Sequence, residues 1–170
     1  MDPIYTSDFD LYDVVLNGDK KEIEEYKRVI LQGWVRTNRD NGSIGFIEFN
    51  DGTYFKNVQL VYTKETKGYE LITYLRTGAA IKVLGELELT PENKQPFEIK
   101  IEEVELEGNV DDDYPLQKKR HSFEFLREIA HLRPRTNTFM AVFRVRSVLS
   151  FAIHEFFQHR WTLFVGRIHE

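Results

Sequence analysis

Phe46 and Gln59 place a ring and a carboxamide where an unpaired nucleotide could be held and read. In residues 43–49, Ile47 and Phe49 share one strand face while Phe46 shares the other with Glu48. In residues 55–62, Val58 and Leu60 suit a core, which turns Gln59 outward with Asn57. An exposed Phe stacks on any base, worth about 1–3 kcal/mol, without choosing among bases. A Gln offers a donor and an acceptor side by side, which matches the Watson–Crick edge of a splayed base. Arg36 or Arg39 would bring positive charge to the sugar-phosphate backbone. The bland alternative makes Phe46 a rim residue of a core and Gln59 a surface amide.

These side chains need a sheet to hold them. Residues 28–37 read as a first strand, rich in Val, Ile and Trp, and Asp40-Asn41-Gly42 offers a tight turn. Residues 43–49 form the second strand, Asn50-Asp51-Gly52 a second turn, and residues 55–62 the third strand. A helix over 67–76 carries Tyr69, Leu71, Ile72 and Leu75, with Gly78 just beyond its last turn. Residues 80–89 and 97–106 alternate as fourth and fifth strands around Thr90-Pro91-Glu92-Asn93. Three strands, a helix and two strands is the order of an OB-fold, an all-β barrel of five strands plus one helix. A ferredoxin-like domain would need a helix after its first strand, and a sandwich would need more strands.

The flanks differ from this core. Residues 1–26 are polar with scattered aromatics, include a short helix around 20–26, and are expected to form an N-terminal extension to a barrel over 27–108. Residues 109–121 read as a linker. Residues 122–130 form a short helix capped by Ser122, and residues 137–160 run 24 residues without Gly or Pro. Along that long helix Arg144, Ser147, Ser150, His154 and Gln158 follow a polar stripe, and the wide apolar remainder must be covered by something else.

The 170 residues carry a net charge of −5 with pI near 5.6, which by itself argues against nucleic acid as partner. The distribution of that charge weakens the objection. Residues 101–113 hold seven acidic side chains and no basic one, while 117–135 hold six Lys/Arg against two Glu, so a single tract supplies much of the deficit. Cysteine is absent, which excludes thiolate metal sites and disulfide frameworks. The start has neither a basic segment nor an apolar core, and no apolar run is long enough to span a bilayer, so a cytoplasmic protein without membrane contact is expected. His154-Glu155-Phe156-Phe157-Gln158-His159 has one residue too many for the zinc-protease pattern. Its imidazoles would stand roughly 140° apart on a helix, so no metal site is expected. No P-loop, nucleophile elbow or dinucleotide fingerprint occurs.

Two segments carry a family likeness: Gly33-Trp34-Val35-Arg36-Thr37-Asn38-Arg39-Asp40, and His131-Leu132-Arg133-Pro134-Arg135-Thr136-Asn137-Thr138-Phe139. With Phe55-Lys56-Asn57-Val58-Gln59-Leu60 they resemble asparaginyl-tRNA synthetase, a class II asparagine–tRNA ligase, over roughly residues 27–160. The resemblance implies an anticodon-binding barrel whose partner is the anticodon loop of tRNA(Asn). It implies that Phe46 stacks the central anticodon uridine, that Gln59 reads it, and that Arg39 lies at the end of the first strand. Glu98 matches a carboxylate that related aspartyl enzymes place near the first anticodon base. Simple alternation puts Arg39 on the face of Leu31 and Val35, so it reaches the binding side only if a bulge near Gly33, or the strand's end, shifts the register.

The resemblance also makes residues 122–170 the start of a class II catalytic domain, with 137–160 as the motif 1 helix that builds a homodimer or a mixed dimer. The proline that should close the next strand is missing from residues 161–170, Met140 stands where the family has a small residue, and motifs 2 and 3 do not follow. A truncated or frameshifted gene is therefore expected, with no catalytic residues, no activity alone, and no cofactor in this chain. ATP and Mg serve the full-length family. The competing expectation is a stand-alone, non-enzymatic OB-fold module that binds RNA or regulates.

Overall fold

The structure is a computed structural model that describes residues 3–6, 11–93 and 95–160. They fall into two compact units, one within residues 1–120 and one within 121–170.

The first unit is a closed five-stranded barrel. Its strands are β2 (Arg28–Asp40), β3 (Ile44–Asn50), β4 (Val58–Thr63), β5 (Ala80–Leu89) and β6 (Phe97–Gly108). Strand β2 pairs antiparallel with β5 through residues 28–34 and with β3 through residues 34–40, which lets one long strand serve both sides of the cylinder. Strand β4 pairs with β6 in parallel, Leu60 opposite Ile99 and Val61 opposite Lys100, and β6 pairs with β5. Closure leaves few edges to guard. The two-residue β1 (Ile4–Tyr5) covers one of them, running parallel to Val29 and Ile30.

Alternation fills the barrel. Val29, Leu31, Val35, Ile47, Phe49, Leu60, Ile81, Val83 and Ile99 are completely buried, which is the inward set that the sequence pattern assigns to these strands. Helix α3 (Tyr69–Thr73) closes one end with fully buried Ile72. Gly45 lies opposite Tyr62, and a Cβ there would stand 1.9 Å from the tyrosine ring. Only glycine lets Tyr62 lie across β3 and donate its hydroxyl to Asn38 Oδ1 at 3.0 Å.

Several elements differ from the sequence expectation, among them β2, which runs past residue 37 to Asp40, and β6, which runs past residue 106 to Gly108. Helix α3 is five residues, not ten: Gly68 precedes it at φ 89°, and Lys67 instead bridges to Glu103 of β6. The helix ends at Thr73 with Tyr74 as its C-cap, and Gly78, at φ 95°, is a turn residue whose N–H donates to Val35 O. Strand β4 starts at Val58 rather than residue 55, because Asn50 Nδ2 donates to the carbonyls of Tyr54 and Lys56 and ties that stretch into a loop. The extension is more than a tail. Helix α1 (Leu11–Asn17), followed by α2 (Lys20–Glu25), buries Leu11, Tyr12 and Val14, and Tyr12 stacks on Tyr54 at 4.2 Å and meets the edge of Phe97 at 4.9 Å. Its hydroxyl donates to Asn57 O at 2.7 Å.

The second unit contains α4 (Phe123–Glu128), a 3-10 turn (Arg133–Arg135) and α5 (Asn137–His159). Ser122 caps α4 as expected, accepting from Phe125 N, and Thr136 caps α5, accepting from Phe139 N. No residue of α5 is buried. Phe151 interrupts its polar stripe and is itself 69% exposed, so apolar groups circle the helix. The expected absence of a closing proline concerns residues 161–170, which lie outside the described residues.

Candidate nucleic-acid interface

The outer face of β2, β3, β4 and β6 carries two rows of side chains set by strand register. In one, Arg39 lies opposite Phe46, Phe46 opposite Val61, and Val61 opposite Lys100. In the other, Thr37 lies opposite Glu48 and Glu48 opposite Gln59, with Glu98 one residue before Ile99 at the end of the row. Phe46 and Gln59 are both half-buried on adjacent strands and diagonal to one another. Diagonal cross-strand side chains stand about 7–8 Å apart at the backbone, within reach of one nucleotide base.

Arg39 joins this face through a β-bulge. The register of β2 on β3 shifts between Val35 and Thr37, so Arg36 is the extra residue and every side chain after it changes sides. The shift lies at Arg36 and not at Gly33, where the β2–β5 ladder is regular. Gly33 instead permits a close backbone approach, since a Cβ there would meet Asn50 O at 2.6 Å. After the bulge Asn38 turns to the core end, donating to Ile72 O at 2.8 Å, while Arg39 reaches Glu48 at 3.3 Å. Thr37, carried to the same side as Glu48, has a buried hydroxyl with no hydrogen-bond partner among the described residues.

Glu98 lands beside Gln59. Gln59 Nε2 donates to Glu98 Oε1 at 2.7 Å, so the face carries two linked pairs, Arg39 with Glu48 and Gln59 with Glu98. Sequence reasoning did not single out Lys100, Val61 or Thr37. Only the parallel β4–β6 ladder and the bulge bring them to this face, and neither leaves a signal in local composition.

Three of the glutamates on β6 are paired with basic neighbours. Glu102 pairs with Arg28 at 2.8 Å, Glu103 with Lys67 at 2.5 Å, and Glu105 with Lys82 at 3.4 Å. Lys100 pairs with Glu88, and this hydrogen bond raises its pKa above the ordinary lysine value. Tyr62, beneath the face, has its phenol pushed up to about 12 by burial and then by Asp40 and Tyr69. Among the described residues no group of three His, Cys, Asp or Glu could hold a metal ion, and no helix is long and apolar enough to cross a membrane.

Comparison with known proteins agrees with the barrel fold. Residues 29–107 match the tRNA anti-codon family, described as an OB-fold nucleic acid binding domain. The chain is 55% identical over 148 residues to an asparagine–tRNA ligase of Alkaliphilus oremlandii, covering 87% of this chain and 31% of that protein. It is 58% identical over 140 residues to one from Acetivibrio thermocellus, covering 82% of this chain and 30% of the relative. Among solved structures, asparaginyl-tRNA synthetase from Pyrococcus horikoshii complexed with asparaginyl-adenylate superposes with TM-score 0.70 at 26% identity, covering 78% of this chain and 31% of that one. The chain therefore spans about a third of the length of the curated relatives it matches. It is homologous to asparagine–tRNA ligases over most of its own length, and its barrel is an OB-fold that matches a nucleic acid binding domain family.

Proposed function

We propose that this chain supplies the anticodon-reading part of an asparagine–tRNA ligase. The barrel's outer face binds the anticodon loop of tRNA(Asn): Phe46 stacks a base, Gln59 reads its Watson–Crick edge, Arg39 meets the phosphate backbone, and Glu98 lies by the neighbouring base. What supports this most is the bulge at Arg36, which carries Arg39 onto the face shared by Phe46 and Gln59. The whole protein would join asparagine to tRNA(Asn) with ATP and Mg, in the two-thirds of its relatives that this chain does not match.

Titration of an anticodon stem-loop bearing GUU tests the reading. Expected is binding that weakens steeply with salt and exceeds binding of a stem-loop with a scrambled anticodon. Equal affinity for the two would overturn it.

Helix α5 is proposed as part of a dimer interface. Val145, Val148 and Leu149 are 58%, 67% and 57% exposed, an apolar face that calls for a covering partner. Sedimentation of the chain should show dimers, and Val148→Lys should shift them to monomers. A parent that stays monomeric at high concentration would refute this part.

A further inference from the structure

The contact between Gln59 and Glu98 decides which end of the amide faces the open side of the barrel. Gln59 Nε2 donates to Glu98 Oε1 at 2.7 Å. A carboxylate has only acceptors to offer, so a flipped amide would set oxygen against oxygen. The parallel pairing of Leu60 with Ile99 holds the two side chains on adjacent strands. Glu48, directly across β3–β4 from Gln59, is engaged by Arg39 at 3.3 Å. The two carboxylates flanking the amide are thus divided between a guanidinium and one end of that amide. What remains for a ligand is Oε1 and one N–H, in a fixed order.

We propose that Glu98 is a positioning residue that acts through Gln59, locking the amide in the orientation that selects uracil over cytosine. This rests on the reading of the barrel as an anticodon binder. A base stacked on Phe46 presents its edge to the amide in one place. Uracil offers an imino N–H beside a carbonyl, which needs an acceptor beside a donor. Cytosine offers a ring nitrogen acceptor beside an amino group, which needs the same two groups exchanged. Flipping the amide by half a turn performs that exchange, turning a uracil reader into a cytosine reader. Glu98 forbids the flip.

The test measures affinity for two stem-loops that differ only in U or C at the central anticodon position. Both have an abasic first position, so that any direct contact of Glu98 with the first base is absent. The parent should prefer U. In Glu98→Gln the new amide can donate or accept, the lock is released, and the U-over-C ratio should fall about 5-fold or more, mainly by gain of affinity for C. Glu98 lies opposite Glu88 across β5–β6, where Lys100 already holds Glu88, so neutralising the partly exposed Glu98 should shift the melting temperature little. In a Gln59→Leu background, Glu98→Gln should leave the ratio unmoved. A Glu98→Gln variant that keeps the parental ratio, or one that shifts it equally without Gln59, overturns the proposal. A parent that binds both stem-loops without preference overturns it too. A parent that binds neither removes the anticodon reading itself, and this inference with it.

Discussion

Replacing Phe46 with Ala should weaken binding of the GUU stem-loop by about 5- to 150-fold, the range that a stacking loss of about 1–3 kcal/mol produces. The ring lies on the outer face between Arg39 and Val61, while its neighbours Gly45 and Ile47 face the fully packed interior. The substitution therefore removes a stacking platform and opens no hole in the core. Its cost to stability should stay near 1 kcal/mol or less, which a denaturation curve run beside the binding assay would verify. Fluorescence anisotropy of a labelled stem-loop across a salt series separates the contributions. Stacking carries no charge, so Phe46→Ala should lower affinity equally at every salt concentration and leave the slope alone. Arg39→Ala should instead flatten the slope by about one phosphate contact, because an Arg that neutralises a phosphate releases counterions. Phe46→Trp should keep or improve affinity. Identical dissociation constants for parent and a folded Phe46→Ala protein would refute the placement of a base on this ring.

Other consequences follow from the barrel and its caps. Gly45→Ala drives a methyl into the Tyr62 ring, whose hydroxyl is committed to Asn38, and should destabilise the barrel by about 1–3 kcal/mol in chemical denaturation. Burial pushes the phenols of Tyr12 and Tyr62 up from 10.0 to about 12, so the unfolded chain gives up these protons first. The stability they contribute is whole below pH 10 and is lost as pH climbs through about 12; denaturation midpoints at rising pH should fall in that window, and less steeply in Tyr12→Phe. Thr136→Ala removes both the cap on Phe139 N and a hydroxyl donated to Arg133 O at 2.7 Å, and should cost about 1 kcal/mol, read as loss of helical circular dichroism at a lower temperature.

The alternation of Ile47 and Phe49 with Phe46 and Glu48, and of Val58 and Leu60 with Gln59, was legible in the chain because strand period is a local property. The same holds for β5, whose bounds at Ala80–Leu89 follow its pattern, and for Ser122 as the cap of α4. The order of strands and helix was enough to name the barrel. The length of α3 was not legible, since ten residues of helical pattern yield five once Lys67 is drawn into a bridge with Glu103. Nor was the part played by the first 26 residues, whose Leu11 and Tyr12 find burial only against a surface made far along the chain. The site divides in the same way. The strand faces of Phe46 and Gln59 came from the sequence, and that of Arg39 did not. The bulge at Arg36, which moves Arg39 across the sheet, and the parallel β4–β6 ladder, which joins Gln59 to Glu98, arise from closing the cylinder. Closure is a condition on all five strands at once, and no single segment records it.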